Sequence, residues 1–232
     1  VLMSTLSELR TRARQRVDAV DNNFFTDSEI DDYINVGLGE LHDLLVLKYE
    51  DQYVNQMSFS LVADQDTYRF ADIGLNNFYK LLGVDAVHGN DVVRVRRFSF
   101  QDRNKYQADT AIHNSNGYAD YEYSLRASSI VFTPKPGTTD TVKIWYVPRF
   151  AELDSDTSTV DDMVMLNWEE YAILVAAIKM RQKEETSITP LQQDLDRITL
   201  RIEDASRDRD ASEPVGITDE SAGVMPYHRW MF

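Results

Sequence analysis

Residues 24–49, FFTDSEIDDYINVGLGELHDLLVLKY, decide the fold, and their start is the clearest signal in the chain. Thr26-Asp27-Ser28-Glu29 reads as a capping box: a Thr hydroxyl takes an orphan N–H three residues on, and a Glu reaches back. Phe25 and Ile30 flank it as a hydrophobic staple. Asp27, Glu29, Asp31 and Asp32 sit in or near the first turn, where the helix dipole favours carboxylates. Ile30, Tyr33, Ile34, Gly37, Leu38, Leu41, Leu44 and Leu45 then trace a broad apolar face out to about Tyr49. Gly37 lies inside that face at a helix-propensity cost of up to ~1 kcal/mol, so a close crossing by another helix is expected there.

Upstream, Ser4 is placed to cap a helix carrying Leu6, Leu9, Ala13, Val17 and Val20 on one stripe. Arg10 and Arg14 flank the stripe on one side, Arg12 and Arg16 on the other. They can lay their stems over a packed edge, or they can bridge to another subunit. Downstream the period changes to two. Tyr53, Met57, Phe59 and Leu61 alternate with polar residues, Ala63–Asp66 turns, and Thr67–Phe70 returns. Phe78–Val87 ends at the turn His88-Gly89-Asn90-Asp91, and Val92, Val93 and Val95 follow. Phe100–Tyr106 is ambiguous between helix and coil. Tyr121–Leu125 and Ile130–Thr133 form a hairpin around Arg126–Ser129. Val142, Ile144 and Tyr146 face one way, Trp145 and Val147 the other.

Helix returns after the acidic loop Asp154–Asp162. Leu166–Lys183 is apolar on most sides, as expected of a central helix. Pro190 opens a last helix striped by Leu191, Leu195, Ile198, Ile202 and Ala205. The expected fold class is therefore α+β: a four-helix bundle-like core, an inserted antiparallel β domain and an extended C-terminal arm. The expected boundaries are 1–51 and 151–210 for the two helix pairs, 52–150 for the β insertion and 211–232 for the arm.

The chemistry expected is mostly negative. The 232 residues contain no cysteine, which excludes disulfides, thiol nucleophiles and Cys-ligated zinc. His42, His88, His113 and His228 form no metal-ligand pair by spacing, so no metal is expected. There is no Gly-rich phosphate loop and no Gly-x-Ser-x-Gly elbow. Asp154, Asp156 and Asp161 hint at a calcium loop, but Thr159 and Met165 stand where its Gly and Glu belong. No catalytic residue and no cofactor are expected. The longest apolar run, Tyr171–Ile178, is too short to span a bilayer, and no export leader is expected. A net charge of −15 disfavours tight DNA binding and suits either solubility or a surface that DNA slides past.

The end of the chain, Met225-Pro226-Tyr227-His228-Arg229-Trp230-Met231-Phe232, is rich in hot-spot residue types. It either folds back on its own domain or orders on a partner.

Five segments carry a family resemblance: residues 6–14 (LSELRTRAR), 24–35 (FFTDSEIDDYIN), 144–148 (IWYVP), 168–172 (WEEYA) and 179–187 (KMRQKEETS). With the order helix pair, β unit, helix pair, tail, the chain resembles the head-to-tail adaptor (connector, head-completion) proteins of tailed bacteriophages. That resemblance implies a virion structural protein of the phage neck, assembled in the host cytoplasm. It implies a homo-oligomeric ring, typically of twelve, that docks on the portal protein, extends the DNA channel and offers a platform to tail or nozzle proteins. Double-stranded DNA would pass through the lumen without specific binding. The arm residues Tyr227, His228, Arg229, Trp230, Met231 and Phe232 would grip the portal. Beyond what the resemblance implies, charge complementarity suggests that Arg10, Arg12, Arg14 and Arg16 face the acidic start of a neighbour's second helix, with the Arg12/Arg16 side meeting its Asp31 and Asp32. A tail-completion or nozzle-type protein of the same particle is the alternative. A carbohydrate-binding module built on Trp145, Tyr121 and Tyr123 is a more distant one.

Overall fold

The computed structural model describes residues 4–19, 24–102, 118–137, 139–160, 165 and 167–207. The first helix, α1 (Leu6–Arg16), is capped one residue later than expected. Thr5, not Ser4, accepts the Glu8 N–H, and the Glu8 carboxylate accepts the Thr5 N–H in return. Ser4 instead donates its hydroxyl to Glu169, 2.7 Å away. The loop before residue 160 covers the same end: the Leu6 N–H donates to Ser158 O and the Ser7 N–H to Asp156 O. Those bonds satisfy donors that a helix start otherwise leaves orphaned.

α2 (Asp27–Lys48) starts at Thr26, whose hydroxyl accepts the Glu29 N–H at 3.2 Å. Only this half of the expected box forms, because the Glu29 carboxylate is drawn elsewhere. It accepts the Tyr33 hydroxyl at 2.8 Å and the Lys183 ammonium at 2.6 Å. α3 (Glu169–Lys183) buries every residue from Ala172 to Ile178, which makes it the central helix. α4 (Thr189–Arg207) turns Ile198 and Ile202 inward, with Leu191 and Leu195 partly covered. Ala205, expected on that stripe, is exposed. One apolar core takes residues from all four of these helices.

Seven strands make one sheet: β1 (Asn55–Ser60), β2 (Thr67–Arg69), β3 (Phe78–His88), β4 (Asp91–Arg97), β5 (Tyr118–Arg126), β6 (Ser129–Thr133) and β7 (Thr141–Pro148). The spatial order is β1-β7-β3-β4-β5-β6-β2. The two-residue turns expected after His88 and after Arg126 are present, with Gly89 at φ 60° and Ala127 at φ 49°. Two expectations fail. β2 does not return along β1 but pairs with β6, at the opposite edge. The sheet is also not wholly antiparallel, because β4 and β5 run parallel. The segment between Arg97 and Tyr118 is long enough for the crossover that parallel pairing demands.

The β1–β2 connection dictates the shape of the sheet. Seven flat strands span roughly 29 Å between their outer members. The seven steps from Ser60 to Thr67 reach at most about 24 Å fully extended, and they include a turn at Asp64 with φ 65°. The sheet therefore curls until its edges approach. Phe59 and Tyr68 bring their rings to 5.2 Å, and the Tyr68 hydroxyl accepts the Val62 N–H at 2.8 Å. Leu61, Val84, Val95, Ile130, Phe132, Val142 and Ile144 fill the inside of the curl as a second core.

The chain crosses between helices and sheet twice, through the 3₁₀ turn Glu50–Tyr53 and through residues 149–153. His42 sits between these crossings, 5 % exposed. It makes edge contacts with Tyr53 and Tyr79, 5.4 and 5.8 Å between ring centres, and a tilted one with Phe150. Lys80 adds a 2.8 Å ion pair to Glu50.

Candidate functional site: an arginine clamp and a split in charge

α1 presents its arginines in the two rows its spacing implies, and each row grips a helix start. On one side Arg10 makes a two-pronged contact with Asp31, Nε to Oδ1 at 2.8 Å and Nη2 to Oδ2 at 2.7 Å. It also meets Asp156 at 2.6 Å and Asp27 at 3.5 Å. Arg14 donates to Asp27 at 2.8 Å and to the Phe25 carbonyl at 3.0 Å. On the other side Arg12 pairs with Glu169 at 3.0 Å and Glu170 at 3.4 Å, and Arg16 pairs with Glu170. Asp27, Glu169 and Glu170 lie in the first turns of α2 and α3, where the dipole already favours negative charge; Asp31 follows one turn on and Asp156 lies in the loop before residue 160. Planar guanidinium forks suit such paired carboxylates better than ammonium groups would.

The electrostatic consequences follow from those contacts. The hydrogen bonds that Arg10 donates to Asp31 raise the Arg10 pKa well above its ordinary range. The Arg14 bond, then the nearby Arg10 charge, lowers that of Asp27. Lys183, then Tyr33, lowers that of Glu29. Lys183 also stands 4.6 Å from the Phe24 ring centre and 5.2 Å from that of Phe25. So the end of α3 is tied to the start of α2.

Of the residues singled out from sequence, Arg10, Arg12, Arg14, Arg16 and Asp31 all have partners inside their own chain. Asp32 is exposed. Tyr227, His228, Arg229, Trp230, Met231 and Phe232 lie outside the described residues. Trp145 lies on the outer face of the sheet beside Gly83, where an added Cβ would stand 3.7 Å from the indole Cδ1, an ordinary contact. Its Nε1 donates to Asp85 at 2.7 Å. Tyr121 is buried in the sheet core and Tyr123 packs against it.

Charge is also divided unevenly along the chain. Residues 52–150 hold 11 Lys/Arg against 10 Asp/Glu, while the rest of the chain holds 13 against 29. The excess acid is therefore confined to the segments before and after the sheet. Among the described residues no group of His, Asp or Glu could hold a metal ion. No described helix is long and apolar enough to cross a membrane.

A family model for the SU10 adaptor protein matches residues 4–218. The chain belongs to that family. The match takes in both rows of the clamp, the seven strands and the four helices named above, so the SU10 adaptor assignment spans the described architecture. It makes the protein a structural component of the phage virion at the head–tail junction, one that interacts with other head and tail proteins. Comparison with curated proteins returned no match. The clamp uses charge to lock α1 across α2 and α3.

Proposed function

We propose that this adaptor forms a ring, of twelve subunits, beneath the portal, extends the DNA channel and presents a platform to tail or nozzle proteins. The observation that carries the reading is the family match over residues 4–218. The confinement of the excess acid to residues 1–51 and 151–232 supports it. A channel lined by those segments would repel the phosphates of a passing duplex and let it slide. In this reading residues 1–51 and 151–210 form a four-helix bundle-like body into which residues 52–150 are inserted. Residues 211–232 are the arm, with Tyr227–Phe232 as its portal anchor.

The inter-subunit contact proposed for Arg10, Arg12, Arg14, Arg16, Asp31 and Asp32 falls first on Asp32. The other five already have partners within the chain and could serve a neighbour only by sharing them. Co-expression with the portal protein of the same phage, followed by negative-stain imaging, tests the ring and its docking. Deletion of Met225–Phe232 is expected to leave thermal melting unchanged and to abolish portal binding. A deletion variant that still binds, or that melts far lower, contradicts the anchor.

A further inference from the structure

The split in charge is sharper when ion pairs are followed one by one. In the helical part the α1 arginines, Lys48, Arg181 and Lys183 are all engaged with carboxylates of the same chain. On the sheet, cations and carboxylates are nearly equal in number, but two neighbouring cations stand out. Lys143 on β7 and Arg94 on β4 flank Asp85 of β3 in register. The Asp85 carboxylate between them accepts the Trp145 indole N–H and keeps its charge, yet neither Lys143 nor Arg94 has an ion-pair partner within 4.0 Å among the described residues, so the two cations outnumber it. Their strands turn Val142, Ile144 and Val95 inward, so alternation puts both cations on the outer face. Val92, 54 % exposed, is on that face of β4 too.

The opposite case is a groove of about 460 Å³ beside α2. Its rim carries Asp32 and Glu152, both exposed and both without an ion-pair partner among the described residues. Asp43 also lines it and accepts the Tyr79 hydroxyl, a bond that raises the tyrosine pKa. One guanidinium, Arg149, stands against these three carboxylates. Val36 and Tyr79 contribute apolar surface, each 43 % exposed. The groove is open over Gly39, where an added side chain would meet nothing within 4 Å.

One chain thus carries an acid-rimmed groove with an apolar lining and a basic face with an exposed valine. We infer that the outer sheet face around Arg94 and Lys143 docks on the α2 groove around Asp32 and Glu152 of a second copy of this chain. Contact between two different patches is heterologous, and it generates a ring wherever the rotation closes. The inference rests on the ring reading above and adds to it which faces meet. Charge complementarity selects the second copy as occupant, because Arg94 and Lys143 offer two cations side by side to answer the carboxylates of the groove.

The test uses two full-length variants, Arg94→Glu/Lys143→Glu and Asp32→Lys/Glu152→Lys, each first shown to melt like the wild type. Assembly is followed by sedimentation velocity and negative-stain imaging, with and without the portal protein. Each variant alone is expected to need on the order of 100-fold more protein to assemble, because like charges face each other. An equimolar mixture is expected to assemble at wild-type concentrations, since every contact then joins opposite charges. Variants that assemble as the wild type does overturn the inference and leave the ring intact. A mixture that fails to rescue also overturns it. Loss of double-stranded DNA retention by the first variant with assembly unchanged would assign the basic face to nucleic acid instead. A wild type that never assembles, even on the portal, removes the ring reading itself.

Discussion

Gly37 gives the sharpest test of the packing described here. A Cβ added at Gly37 would lie 2.8 Å from Ala172 Cα, 2.9 Å from Ala172 O and 3.1 Å from Val175 Cβ. Comfortable carbon–carbon contact is about 3.5–4.0 Å, so α2 and α3 must part by roughly 1 Å. The first two obstacles are backbone, so no rotamer change relieves them. Overpacking of this kind costs about 1–3 kcal/mol. Here the displaced helix is the central one, which puts Gly37→Ala at the upper end. The gain in helix propensity returns only about 0.5–1 kcal/mol. A net loss of about 2 kcal/mol is expected, near 4–8 °C in Tm for a chain of this size. Gly39→Ala is the internal control. It sits two residues on in the same helix with open space around it, so only the propensity gain of about 0.5–1 kcal/mol remains. Paired thermal and urea melts followed by helical circular dichroism should therefore separate the two alanines by about 3 kcal/mol. If Gly37→Ala equals or exceeds Gly39→Ala in stability, the close crossing is wrong.

Three other outcomes are expected. Arg10→Met should cost about 3 kcal/mol in urea unfolding, because it leaves the half-buried Asp31 carboxylate without its fork; an unchanged midpoint would show the clamp to be idle. Glu29 has a folded pKa below its ordinary value, so its contribution is present above the unfolded pKa of about 4.3 and is lost as pH falls through the folded value. Glu29→Gln should therefore melt lower than wild type at pH 7 and lose less on acidification from about pH 5 to pH 3, and parallel melting curves at every pH would refute this. Phe132→Ala opens a cavity in the sheet core and should cost about 3–5 kcal/mol. Hydrogen exchange should then accelerate in residues 55–60 and 129–148 while residues 30–46 stay protected, and uniform acceleration would mean that the two cores unfold as one.

What could be read in advance was whatever depends on neighbours in sequence. Thr26 with Glu29, the glycine turn after His88 and the apolar stretch of α3 are local signals, and each formed an element where expected. Thr5 shows the resolution of such reading: Ser4 and Thr5 are chemically equivalent caps, and only the carboxylate of Glu169, 165 residues away, draws Ser4 aside. The pairing of β2 failed for a related reason. Ala63–Asp66 looks like a hairpin turn, yet Tyr68 finds Phe59 by wrapping the sheet and not by folding back along it. The parallel β4–β5 pair carries no local mark, since period-two alternation is the same in either direction. For the site, the two rows of α1 were legible from spacing alone. Their partners were not, because periodicity says which face a residue occupies and nothing about what approaches it. The imbalance of charge between segments needed only counting.

The double passage of the chain at Glu50–Tyr53 and residues 149–153 has a mechanical meaning. A unit held by one tether can swivel about it, whereas one held by two adjacent tethers can only rock about the line that joins them. His42, wedged among Tyr53, Tyr79 and Phe150, packs against both tethers and stiffens even that motion. A load applied to the sheet from below would thus travel into α2 with little twist, which is how a washer behaves and a hinge does not.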